Sequence, residues 1–303
     1  MNLDLDVTQI AAAREVIDPV FLDTPQYEDP MLNAAIGRRV VLKVETCNPI
    51  RSFKGRGVSV ALSEHTDIDT VVCASSGNFG QAVAYVGQAR GLTVRVFAPS
   101  SINPVKRARM EAFGATITLA ADYGEAREEV RAAASAPGTL LLEDGVPPAI
   151  AVGAGTMAAE LDSVGPLDAV VVPIGDGSLI SGIGCWVRAH RPGTRVVGVN
   201  PEAAPAMYES FRAGQPVRVD ASDTFAEGIS VPVPHAASLE RVRALVDDIV
   251  LVKTEEIAAA MELAAQHVGI RLEPAGAASL AAIAHGRVTG DRIATILTGA
   301  NPR

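Results

Sequence analysis

Lys54 lies in the stretch NPIRSFKGRG, residues 48–57, between a phenylalanine and a glycine. The chain carries four lysines against 22 arginines, so lysine is not its default cation. Arginine stays charged at any accessible pH, whereas lysine can lose its proton and act as a nucleophile or base. Lys54 is thus a candidate chemical residue, the plain alternative being a solvated cation.

Three glycine-bearing turns could supply partners for such an amine. In ASSGNFGQAVA, 74–84, two serines, a glycine and an asparagine follow an apolar strand and lead into a helix. The backbone N–H groups at such a start bind a carboxylate or a phosphate well. Equally, Ser76 or Asn78 could do no more than cap the helix. In PIGDGSLISGIG, 173–184, Gly175 and Gly177 allow a tight turn and Ser178 can cap the helix or offer a hydroxyl, the makeup of a phosphate cradle. Glu202, at the end of the next strand, raises the rival reading of dinucleotide binding, but the third glycine that GxGxxG needs is Ile180. In ILTGAN, 296–301, a strand runs into Thr298 and Gly299, and upstream RLEPAGAASLAAI, 271–283, sets Glu273 at a helix start.

Other chemistries lack their residues. The five histidines, at 65, 190, 235, 267 and 285, form no HExxH, and no GxSxG elbow occurs. Cys47, Cys73 and Cys185 are far apart, have no metal-binding spacing and read as buried free thiols. A lysine, a phosphate cradle and a second anion site form the set that pyridoxal phosphate needs with an amino-acid substrate.

These residues must be held by a fold. At 48% hydrophobic and 20% charged, the 303 residues describe a compact protein large enough for one large or two modest domains. The net charge of −9 argues against nucleic acid or anionic lipid as partner. An acidic N-terminus without a signal-peptide pattern, no apolar run of membrane length and unpaired cysteines fit the cytoplasm. Strands are expected at 40–45, 70–75, 93–98, 116–120, 139–143, 169–174, 195–200, 248–252 and 293–298, with helix-length segments between most of them. Continuous apolar strands alternating with helices predict an α/β fold of mostly parallel sheets flanked by helices, and their number favours two sheets in two lobes.

SFKGRG, SSGNFGQAVA, GDGSL and LTGAN, in this order, resemble the lysine motif, substrate loop, glycine-rich phosphate loop and closing motif of fold type II pyridoxal-phosphate enzymes. That is the group of threonine and serine dehydratases and serine racemase, similar in fold to the tryptophan synthase β-subunit. EPAGAA and TFAEG add weaker matches, and together the matches span residues 24–301. The resemblance implies that Lys54 holds the cofactor through a Schiff base and later acts as the base on Cα. It implies that Phe53 packs beside the ring, that Asn78 bonds the ring oxygen and that Gly175, Asp176, Gly177, Ser178 and Leu179 hold the phosphate. Thr298 would face the pyridine nitrogen, and Ser76, Gly77, Asn78, Phe79 and Gly80 would bind the substrate carboxylate. A hydroxyl at Thr298 cannot keep the ring nitrogen protonated, so elimination is favoured over transamination. Ser76 would stand on the face where a racemase needs its second acid/base. The resemblance further assigns 1–68 and 148–303 to a larger cofactor-binding domain and 69–147 to a smaller mobile one, in a homodimer.

The expected activity is dehydration and deamination of a β-hydroxy amino acid such as L-threonine or L-serine. β-Replacement and racemisation remain open on the same scaffold, and a non-catalytic nucleotide- or amino-acid-binding protein is the alternative of another class. Four departures from the family pattern stand out, the last at two positions. Arg51 replaces a glycine and could select an anionic or polar side chain or pair outward. Asp176 interrupts the phosphate loop, where a carboxylate repels phosphate unless it points away. Phe79 replaces a histidine and suits a bulkier, aryl-bearing substrate. Asn200 and Ala206 stand where racemase-like relatives carry acids, so no metal is expected, although Glu202 remains nearby. The resemblance also leaves no room after residue 301 for a regulatory domain, so isoleucine feedback is expected to be absent.

Overall fold

The computed structural model describes residues 3–221 and 225–302; Thr224 of the TFAEG match lies outside them. Ten strands among these residues form two sheets. The larger has the order β1 (Gln26–Glu28), β2 (Arg39–Val44), β10 (Arg292–Leu297), β7 (Ala169–Pro173), β8 (Arg195–Pro201) and β9 (Asp248–Val252). The smaller has the order β5 (Thr116–Ala120), β4 (Thr93–Pro99), β3 (Thr70–Ala74) and β6 (Thr139–Leu141). Every pairing is parallel except β1 with β2, where Tyr27 lies opposite Leu42. Apolar residues fill β2, β7 and β10 because helices cover both faces of the sheet there.

All nine expected strands are present, and β1 was not expected. It is a three-residue edge strand with no alternation of apolar residues. Of the three cysteines read as buried, Cys73 is buried, Cys185 is half-buried and Cys47 is exposed, because Cys47 falls in the loop after β2.

Three helices place the lysine against the glycine-rich turn. They are α1 (Lys54–Ser63), α3 (Pro148–Glu160) and α4 (Ser178–His190), with α2 (Asn78–Ala89) on the smaller sheet. The backbones of α1, α3 and α4 nearly touch. A Cβ on Gly153 would lie 2.5 Å from the carbonyl oxygen of Arg56, and one on Gly182 would lie 1.9 Å from that of Ala151. α1 and α4 therefore dock on the same helix at fixed distances, which ties the first residue of α1 to the first residue of α4.

A buried ion cluster locks α1 from below. Arg56, wholly buried, donates from Nε and Nη2 to Glu45 at 2.9 Å each, and from Nη1 and Nη2 to Glu160 at 2.6 and 3.0 Å. Lys43, also wholly buried, pairs with Glu160 and donates to the Thr24 carbonyl at 2.8 Å. Two cations and two carboxylates thus neutralise each other, joining β2, α1 and α3.

Two substitutions test this scaffold. Burial alone raises the Glu160 carboxyl, but Arg56 and Lys43 overcome it and hold it below the ordinary range. Glu160→Gln leaves those cations under-compensated and is expected to cost about 3–5 kcal/mol in chemical denaturation at neutral pH. That contribution is present above the unfolded carboxyl value of about 4.3 and fades as pH falls through the lowered folded value, so variant and wild type converge in acid. Gly182→Ala forces α4 off α3 and is expected to cost about 1–3 kcal/mol by the same measurement.

Candidate active site

A cavity of about 600 Å3 opens between the sheets at the carboxyl ends of β3, β6, β7 and β10, where parallel folds place their ligands. Its walls include Lys54, Ser76, Asn78, Asp144, Asp176 and Thr298. Lys54 reaches it as the first residue of α1, with its nitrogen 5.0 Å from the Phe53 ring centre and 5.9 Å from that of Phe79. The turn before it is sewn to the end of β10. Phe53 N–H donates to Thr298 O at 3.2 Å, Ser52 bridges Gly299, and Ala300 N–H donates to Arg51 O at 3.0 Å. Lys54 and Thr298 are adjacent for this reason.

The Lys54 nitrogen donates to Asp144 Oδ2 at 2.6 Å and lies 3.6 Å from Asp176 Oδ2. Burial disfavours its charge, but the two carboxylates outweigh burial and hold the ammonium above its ordinary value. Asp176 does not point away from the turn. Its Oδ1 accepts the Ser178 N–H at 2.6 Å and its other oxygen faces Lys54. Burial opposes that charge too, yet Lys54 and the Ser178 N–H keep the carboxyl below the usual range. Asp144 behaves oppositely. Burial, with Asp176 close by, pushes it up to about 6 despite Lys54. Asp144 was not expected from the sequence, since it follows Glu143 in LLEDG and local spacing does not distinguish it from a turn residue.

At the first turn of α2, Ser75 Oγ accepts the N–H groups of Gly77 and Gly80 at 3.2 and 3.0 Å. Gly80 is accordingly buried behind the cavity wall and does not line it. The N–H groups of Asn78 and Phe79, in the first turn of a helix, have no acceptor within it. The Asn78 amide donates to Glu273 Oε1 at 2.6 Å and accepts from Asn301 at 2.8 Å, which fixes its orientation across the two sheets. Burial lifts the Glu273 carboxyl to about 7, against the pull of Asn78. Ser76 donates weakly to Glu227 at 3.4 Å, and Glu227 also accepts from Lys106 at 3.2 Å.

Arg51 does not line the cavity. It is exposed, with a left-handed φ of 53°, a conformation that favours glycine and turns its side chain away. Its position therefore gives no support to charge selection by Arg51. Asn200 is committed to the backbone, donating to Ile174 O at 2.7 Å and accepting from Tyr208 N–H at 2.8 Å.

The second turn fits a phosphate-bearing group. Ser178 Oγ is buried with no hydrogen-bond partner, Gly177 takes a φ of 101° and a 13-residue helix starts there. Asp176 is the one feature against an anion, since its carboxylate takes the Ser178 N–H.

Comparison with known proteins agrees with this arrangement. Phenylserine dehydratase from Ralstonia pickettii is 31% identical, with 98% of this chain and 93% of that protein aligned. β-Hydroxyaspartate dehydratase from Paracoccus denitrificans is 33% identical over 96% and 94%. A threonine deaminase of known structure, from T.th., superposes with a TM-score of 0.94 at 31% identity over 99% of each chain, and maize serine racemase with 0.93 at 26% over 98% and 94%. Residues 17–299 match the family described as pyridoxal-phosphate dependent enzyme. Lysine, glycine-rich turn and family match coincide, and the chain belongs to the pyridoxal-phosphate dependent enzymes.

Proposed function

We propose that this protein is a lyase that removes the β-hydroxyl of an amino acid and releases a 2-oxo acid and ammonia. One observation carries the reading. Lys54 Nζ, the Gly175–Leu179 turn and the Asn78 turn face one cavity, which joins an amine able to bond an aldehyde, a phosphate seat and a carboxylate seat. Relatives named as dehydratases of phenylserine and β-hydroxyaspartate support elimination.

Pyridoxal phosphate, when bound, acidifies the Cα–H of an attached amino acid by withdrawing electrons. The chain's own residues do the rest. Lys54 would hold the group through its aldehyde, and its Nζ would take the Cα proton. Ser178 and the N–H groups at the start of α4 would hold the phosphate, with Phe53, Asn78 and Thr298 orienting the ring. Ser76, Asn78 and Phe79 orient the substrate carboxylate through the α2 turn by the N–H groups that Ser75 leaves over, while Gly77 and Gly80 shape the turn. Phe79 gives this wall an apolar face suited to an aryl side chain, a reading supported by the phenylserine dehydratase relative. Racemisation is a second reading, favoured by Ser76 lining the same cavity within reach of Glu227.

The smaller sheet carries the Ser75–Gly80 turn and Asp144, and the larger carries Lys54, Asp176 and Thr298. Residues 69–147 are thus read as the unit that closes on substrate against 1–68 and 148–303. The reading includes a homodimer in the cytoplasm that acts on small molecules, and the net charge of −9 weighs against nucleic acid or anionic lipid as a partner. Among the described residues no helix is long and apolar enough to cross a membrane.

Protein incubated with pyridoxal phosphate is expected to gain an absorbance band at the edge of the visible range. Borohydride should abolish that band and add the cofactor's mass at Lys54. Lys54→Ala should take up no such mass and lose at least about 10³-fold in turnover. A panel of L-threonine, L-serine, phenylserine and 3-hydroxyaspartate should yield 2-oxo acid, measured directly. A product formed only when an external nucleophile is present would instead identify a β-replacement synthase, and label exchange at Cα without 2-oxo acid would identify a racemase.

A further inference from the structure

Asp144 is the residue of the cavity that the roles above leave unexplained. One of its oxygens lies 2.6 Å from Lys54 Nζ, and the other is buried with no hydrogen-bond partner. Buried carboxylate oxygens are rarely left alone, and one beside a substrate cavity is completed by a proton or by a donor on the ligand. The turn that carries Asp144 is built for this contact. Gly145 adopts φ 81°, and a Cβ there would meet the Asp176 side chain at 2.6 Å, so only glycine lets the turn press so closely on the Lys54–Asp176 pair. Ser238 Oγ holds the turn by donating to Gly145 O at 3.1 Å.

We propose that Asp144 is the catalytic acid of the elimination, giving its proton to the departing β-hydroxyl and recovering one from water. The inference rests on the lyase reading above. A base must come within about 3–3.5 Å of the hydrogen-bearing carbon it serves, and the β-oxygen is two bonds beyond Cα. Asp144 lines the same cavity 2.6 Å from that base, so it can meet the oxygen when the Cβ–O bond is turned to its side. The step balances. Lys54 Nζ takes the Cα proton, the C–H electron pair becomes the second Cα–Cβ bond, and the Cβ–O bond breaks with its pair on oxygen. Asp144 protonates that oxygen and water leaves. Once the product has left, Lys54 gives up its proton to water and Asp144 takes one from water, so the protein is restored and the substrate has lost one water. Burial and the neighbouring Asp176 already make Asp144 easy to protonate near neutrality.

The test compares leaving groups in the cofactor-loaded enzyme. Chloride needs no proton to depart, so Asp144→Asn should lose about 10²–10³-fold in kcat with the best β-hydroxy substrate but no more than about tenfold with 3-chloro-L-alanine. The cofactor absorbance band should persist, and infrared difference spectra at neutral pH should lose a protonated-carboxyl band present in wild type. Asp144→Glu, which keeps the acid but moves it by one methylene, serves if the asparagine variant does not load, and should show an intermediate loss on the hydroxy substrate alone. Equal losses on both substrates would reduce Asp144 to a structural partner of Lys54 and overturn the proposal, as would unchanged turnover of both. Wild-type turnover of neither substrate, despite a bound cofactor, would instead refute the lyase reading itself and the inference with it.

Discussion

Arg56 has no access to water, and the reactive side of the molecule is hung from its two carboxylate partners. A guanidinium in the interior is tolerable only if its donors are met, and here Glu45 and Glu160 meet it from opposite sides with Thr156 adding a bond at 2.9 Å. The partners come from the end of β2 and the end of α3, so satisfying the charge also fixes the pitch and rotation of α1. Residues two apart on a helix point to nearly opposite sides. With Arg56 locked into the core, Lys54 has one direction left, toward the cavity.

The same logic extends to the second motif. α1 and α4 both lie against α3 at glycine crossings that leave no room for a Cβ, so their first residues are held as if on one rigid body. The amine and the phosphate turn are over 120 positions apart in sequence, yet backbone contacts alone set their separation. Elements from the other sheet meet the site through polar contacts, Asn78 to Glu273, Ser76 to Glu227 and Lys54 to Asp144. Apolar residues of β3, α2 and α3 form one continuous cluster beneath them. A closing movement of the smaller sheet would pivot on that apolar floor while its polar contacts at the cavity exchange.

The parts of this arrangement that were legible in sequence are those with local causes. AVVVPI reads as a buried parallel strand because every side chain in it must be covered, and GDGSL reads as an anion turn because its residue types leave backbone N–H groups free. The preference for arginine was a fair guide to Lys54 but not a sufficient one, since Lys43 is buried still more deeply and serves the ion cluster. TLLLE shrank to the three residues of β6 because that strand is a half-buried edge, which released Glu143 and Asp144 into the loop. Asp144 could not be found by spacing at all. Its partner is 90 positions away, and only the stacking of the two sheets brings the pair together. Glu273 was visible as an acid at a helix start, but its bond to Asn78 spans 195 positions.

Two carboxylates around one amine raise the question of which would hold a proton when the charge on Lys54 is withdrawn. Their surroundings answer it. Asp176 is bound to the Ser178 N–H at the positive end of α4, and that bond favours the ionised form whatever Lys54 does. Asp144 is helped only slightly by the neighbouring Gly145 N–H, its second oxygen makes no hydrogen bond of good geometry, and it feels Asp176 as a like charge. At about 4 Å and an effective dielectric of about 20, two like charges repel by about 4 kcal/mol, enough to separate their proton affinities widely. With the Ser178 N–H held by Asp176, the charge of Asp176 falls on Asp144, and the proton goes to Asp144. The substitution of aspartate into a glycine-rich phosphate turn, which looks like damage to a binding site when read alone, thereby tunes the acid on the opposite sheet.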